Sequence, residues 1–125
     1  MPVEVQFVGG LIRQTFSGEV SAVDLQDLAK QVLALEAGLP RAPDRIADLS
    51  AVTSVAADFL AIDQLARKRV ASPPRNPTRN AIVAPTPMLF GVARMFQTLN
   101  TAAGVEVRIF RDRASAEAWL LPPAS

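Results

Sequence analysis

Histidine, cysteine and tyrosine are absent from the 125 residues of this chain, and tryptophan occurs once. Each absence removes a class of chemistry. Without histidine the chain lacks the commonest acid–base group, and without cysteine it lacks the usual thiol nucleophile, the softer metal ligands and any disulfide framework. Serine and cysteine triads of the usual make-up are therefore excluded. An enzyme built from this sequence would rely on Asp, Glu, two lysines, arginines or hydroxyls, and such sites normally come with paired carboxylates or a glycine-rich phosphate loop. No catalytic set, metal site or cofactor is expected.

An excess of charge of one sign is missing as well. Thirteen basic residues face 12 acidic ones, a formal net charge of +1, so no overall field draws the chain to nucleic acid or to an anionic membrane. No apolar run approaches the ~20 residues of a membrane-spanning helix, and no stretch reads as a secretory signal. The expectation is a soluble, cytoplasmic protein with no nucleic-acid partner and no membrane insertion. What is present is apolar: half of the residues, enough for one core in one domain over residues 1–125 without metals or crosslinks.

Val3, Val5 and Phe7 alternate with Glu4 and Gln6, and Gly9-Gly10 supplies the positive φ angles of a two-residue hairpin turn into a returning strand, Leu11 to Phe16. Ser17-Gly18 closes that strand. Ser21 with Asp24 three residues on reads as a helix cap, with Val20 and Leu25 as its staple, and Leu25, Leu28, Val32 and Leu35 follow at helical spacing until Gly38 and Pro40. The apolar runs in Asp44 to Leu49 and Arg79 to Ala84 lack strict alternation, as expected of parallel strands covered on both faces. Between them the spacing of Val55, Phe59, Ile62 and Ala66 predicts a helix from about Val55 to Val70, with Asp63 and Arg67 paired i,i+4. Ala71 to Thr78, with three prolines, reads as a stiff exposed loop.

Thr86-Pro87 starts the next helix and Gly104 marks its end. Met88, Val92, Met95, Phe96, Leu99 and Ala103 share one side of it, whereas Phe90 falls opposite, beside Arg94 and Gln97. A last alternating strand, Val105 to Ile109, leads to a short helix capped by Asp112 that contains Trp119, read as a core plug, and stops before Pro122-Pro123. The fold class is α/β, β-β-α-β-α-β-α-β-α, with a mixed five-stranded sheet covered by helices.

Three stretches, TFSGEVSAVDL (15–25), RIADLS (45–50) and VEVRIFRDRASAEAWL (105–120), together resemble the STAS superfamily, and within it the bacterial SpoIIAA-like (STAS/SEC14-like) branch. The element order agrees over nearly the whole chain, and the tail is the most specific motif. The resemblance implies a non-enzymatic regulatory or protein-interaction module. In anti-sigma-factor antagonists of that superfamily the strand-loop-helix at this place reads Asp-Ser-Ser-Gly and a partner kinase phosphorylates a serine. Laying Asp48-Leu49-Ser50 on that strand puts Ala56, Ala57, Asp58 and Phe59 at the motif. The acceptor serine is missing, and Asp58 either imitates part of a phosphorylated state or simply favours the helix dipole.

The hydroxyls of the same loop, Ser50, Thr53 and Ser54, are the alternative phosphate acceptors, with Thr53 or Ser54 more simply capping the helix. Asp48 could share a carboxylate site with Asp58 or Asp44, but no spacing brings them together. Arg67, Lys68, Arg69, Arg75 and Arg79 form a basic cluster read as a solvated face. Gly91 inside a helix suggests close packing of another element. Met88, Leu89, Phe90, Gly91 and Arg94 are the candidates for an interface or a pocket mouth, and the Pro87 to Phe96 surface for a homodimer contact. The rival to an unidentified protein partner is a small ligand, a lipid or a nucleotide, as the resemblance to lipid-transfer-like domains implies.

Overall fold

Gly9 and Gly10, with φ of 63° and 79°, turn β1 (Val3–Val8) back onto β2 (Leu11–Val20) as an antiparallel hairpin. The structure, a computed structural model, describes residues 2–121. The chain continues through α1 (Ala22–Ala37), β3 (Asp44–Val55), α2 (Phe59–Ala71), β4 (Thr78–Val83), α3 (Pro87–Leu99), β5 (Val105–Phe110) and α4 (Arg113–Leu120). Strands β2 to β5 are parallel and lie in chain order, β1-β2-β3-β4-β5. Because each of the three crossovers steps the same way across the sheet, right-handedness sends α1, α2 and α3 to one face. Only α4 covers the other.

The two cores follow from this. Leu25, Leu28 and Val32 of α1, Ile62 of α2, and Leu89 and Ala93 of α3 meet Ile12, Phe16, Ala47 and Ile82 on the first face. Leu11, Ile46, Ala81 and Val83, one residue out of phase on the same strands, meet Ala116 and Leu120 of α4 on the second. Burial on both faces explains why IADL and AIVA run apolar without alternation. The helices start where the sequence signals them at three places. Ser21 and Asp24 form a reciprocal capping box (Asp24 N–H to Ser21 Oγ 3.3 Å, Ser21 N–H to Asp24 Oδ2 2.8 Å), Thr86 caps α3 with Pro87 in its first turn, and Asp112 accepts from the Ser115 N–H at 2.8 Å.

The fourth start corrects the expectation. The helix predicted from Val55 begins at Phe59, and its cap is Asp58, which accepts from the Ala61 N–H at 3.0 Å, not Thr53 or Ser54. The residues read as a loop and first turn are strand: β3 runs to Val55 because β2 also runs past Ser17-Gly18, to Val20, and the two pair through Val20↔Val55. Gly18 at φ 64° and register shifts on either side of it carry β2 through the apparent terminator. Beyond Asp48, β3 has no pairing with β4, so the ends of β2 and β3 project as a two-stranded ribbon.

Two smaller differences concern helix α3. It ends at Leu99 with Asn100 as its cap, and Gly104 instead makes the turn into β5 at φ 77°. Its buried residues are Leu89 and Ala93, while Met88 is half exposed, so the face against the sheet is turned by about one residue from the predicted stripe. Trp119 is half buried at the edge of the second core rather than a plug within it. Pro122 and Pro123 lie outside the described residues. No helix among the described residues is long and apolar enough to cross a membrane.

Candidate functional site

A strand presents alternate side chains to one face. On the face beneath α1, α2 and α3 the sequence of β2 gives Ile12, Gln14 and Phe16, that of β3 gives Arg45, Ala47 and Leu49, and that of β4 gives Asn80 and Ile82, with Ala84 just past its end. Three polar residues thus interrupt otherwise apolar rows. The register sets them side by side: Arg45 pairs with Asn80 across β3 and β4, and Gln14 pairs with Ala47, the next residue on the Arg45 face.

These three line one cavity, of about 120 Å³ and partly open to solvent, between the sheet and the three helices. Apart from Arg69 and Lys68 of α2 its remaining wall is apolar, with Phe16, Leu28, Val32, Ile62, Ile82 and Phe96 among its surfaces. Leu49, Val52 and Val55 of the projecting ribbon close one side. Lys68 of α2 is the exposed side chain of the lining. The volume is close to that of a cavity known to take up benzene, ~150 Å³.

Gln14, Arg45 and Asn80 are 4%, 7% and 4% exposed, and Gln14 Nε2, Arg45 Nε and Asn80 Oδ1 have no hydrogen-bond partner among the described residues. Buried polar atoms are paired in the great majority of cases. The Arg45 pKa is lowered to about 10, by burial above all and by the neighbouring Arg69, with Glu36 opposing both. Glu36 is itself committed: the buried Arg69 guanidinium grips it with two hydrogen bonds, Nη1 to Oε1 at 2.8 Å and Nη2 to Oε2, and ties α2 to the end of α1. Arg69 thus takes both oxygens of Glu36, and Arg45 feels that carboxylate only through space.

The residues singled out from sequence are placed elsewhere. Ser50 and Thr53 are exposed on β3, and Ser54 Oγ donates to Glu19 across the ribbon at 3.3 Å. Ala57 lies in the short link to α2, and the Asp58 carboxylate accepts from the first turn of that helix. Asp44 accepts from the Arg79 N–H and Asp48 from the Ser50 N–H, so the three aspartates each serve local backbone and form no shared site. Among the described residues no group of His, Cys, Asp or Glu could hold a metal ion.

Of the predicted interface or pocket group only Leu89 reaches the cavity. Met88, Gly91 and Arg94 face solvent, and a Cβ on Gly91 would meet nothing within 4 Å, which overturns the expectation of close packing there. Phe90 is half buried, with the Arg111 guanidinium 4.4 Å from its ring centroid. The basic cluster is not one solvated face. Arg69 is buried, Arg67 pairs with Asp63 at 2.8 Å, Arg75 donates to the carbonyls of Leu39 and Glu36, and Arg79 lies 5.3 Å from the Trp119 ring.

No protein-family model matches the chain, and no curated protein does. Among solved structures it is similar to the crystal structure of an uncharacterised protein of the DUF3478 family with a SpoIIAA-like fold, from Shewanella loihica PV-4. The TM-score is 0.63 at 14% sequence identity, over 94% of this chain and 91% of the other. The fold is SpoIIAA-like. At this identity the likeness speaks for the SpoIIAA-like architecture alone, and the expected element order and mixed five-stranded sheet are those observed.

The buried polar group is what the sequence reading of this SpoIIAA-like domain missed. Gln14, Arg45 and Asn80 each sit in phase with buried apolar neighbours on a strand, and that phase was the available signal. Separately each looks like a strand edge; together they require the register of three strands.

Proposed function

We propose that this SpoIIAA-like domain is a non-enzymatic binding module whose site is the cavity under α1, α2 and α3, and whose ligand is small and largely apolar. The observation that carries this reading is an apolar, partly open cavity of about 120 Å³, where protein interiors are normally close-packed. The strand order has no reversal, so there is no crevice at a switch point of the kind that open α/β sheets use. The space between helices and sheet takes its place. A neutral six-carbon probe, 1-hexanol, is expected to shift the amide resonances of residues around Ile62, Ile82 and Ala93. Ala93→Leu, which fills the cavity, is expected to remove those shifts without lowering the melting temperature. Unchanged spectra on addition of hexanol to the parent protein would refute the reading.

A second reading, a protein-interaction module, draws on Val23, Phe59, Leu60 and Met88, large apolar side chains exposed on the N-terminal turns of α1, α2 and α3. All three turns lie at the same end of the sheet. It predicts self-association or partner capture through that end, read for self-association by light scattering on the same sample, and Phe59→Ser with Leu60→Ser is then expected to return a dimer to monomer.

A further inference from the structure

We propose that the cavity selects a carboxylate head on a short apolar chain, and that Arg45, Gln14 and Asn80 form the end that receives the head. This rests on reading the cavity as a ligand site and adds the chemical class of the ligand.

A charge removed from water is normally paired. Arg45 has no such partner. No acidic side chain among the described residues makes an ion pair with it. Glu36 offers both oxygens to Arg69, Asp44 is bound by the Arg79 N–H, and Asp48 is out of phase with Arg45 on β3, bound by the Ser50 N–H. The missing partner is thus an anion that the chain does not supply. Beside the guanidinium stand the Gln14 Nε2 donor and the Asn80 Oδ1 acceptor, both buried and unsatisfied, so the recess offers a charged donor, a neutral donor and, with the Asn80 amide turned to present its Nδ2, a second neutral donor.

That set suits a planar monoanion. A guanidinium meets a carboxylate with parallel N–H···O bonds, and Gln14 can supply a further donor to the same group. A phosphate dianion would bring one more charge than Arg45 neutralises and would leave Phe16, Leu28, Ile62 and Ile82 without an apolar occupant. A chain of roughly six carbons uses both parts of the space. Lys68 at the exposed rim adds positive potential on the way in.

The experiment compares hexanoate, hexanamide and hexylamine by amide chemical-shift titration of the full chain. Hexanoate is expected to bind about ten- to a hundredfold more tightly than the isosteric hexanamide, and hexylamine more weakly than either. In Arg45→Met the preference for hexanoate should fall to about one while hexanamide binding persists, and in Gln14→Leu it should fall by roughly a few fold, with circular dichroism and thermal melts confirming that each variant folds. Equal affinity for hexanoate and hexanamide in the parent protein would overturn the carboxylate assignment and leave the cavity reading standing. Preference for hexylamine would overturn it too, as would a preference that survives Arg45→Met. Binding of none of the three would remove the cavity reading itself.

Discussion

Arg45 places a positive charge among hydrocarbon and amide groups on the central strand, and folding bears the cost of desolvating it. Replacing a buried charge by an apolar side chain of similar volume is often stabilising. Arg45→Met is therefore expected to raise the unfolding free energy of the ligand-free protein by about 1–3 kcal/mol, measured by urea denaturation at neutral pH. The pH dependence has a definite sign. With the folded pKa lowered to about 10 and the unfolded one at its ordinary higher value, the group is charged in both states at neutral pH and the penalty is fully present. As pH rises through about 10 the folded state releases the proton first, so stability rises with pH, and the advantage of Arg45→Met is expected to shrink there. A constant gap across that window would contradict the burial of an unpaired charge.

Among the elements, the boundary between β3 and α2 decides where the ribbon ends and the covering helix begins. Asp58 holds it through the Ala61 N–H. Asp58→Ala is expected to cost about 1 kcal/mol, a fall of roughly 3–5 °C in melting temperature for a domain of this size, whereas Ser54→Ala, at a half-buried strand position that caps no helix, should cost less than about 0.5 kcal/mol. Equal losses would return the helix start to Ser54. This boundary was hard to read because Thr53, Ser54 and Asp58 are all good caps, and only the pairing of β3 with Gly18 to Val20 chooses among them. Helix α1 was legible because Ser21 and Asp24 cap it reciprocally and no rival lies nearby. The face of α3 was misread because MLFGVARMF is apolar nearly all the way round, so periodicity does not say whether Met88 or Leu89 turns inward.

At the scale of the whole molecule, the single-face placement of three helices follows from right-handed crossovers along a sequential strand order, and the element order behind it was open to sequence reading. The cavity was not, since it depends on register among β2, β3 and β4 and on the distance at which the helices ride above them. The same topology leaves the ribbon unsupported. Residues 45–48 of β3 are flanked by β2 and β4, but residues 51–55 pair with β2 alone, across two register shifts. Local opening follows such differences in support. Hydrogen exchange is expected to be faster, by a factor on the order of ten or more, for amides of residues 51–55 than for those of residues 45–48. Uniform protection along β3 would show the ribbon to be as firmly held as the central sheet. Because Val52 and Val55 form part of the cavity wall, the frequency with which this ribbon frays would set how long the proposed ligand stays. Residence time would then be tuned by Gly18 and the bulges beside it, far from the groups that choose the ligand.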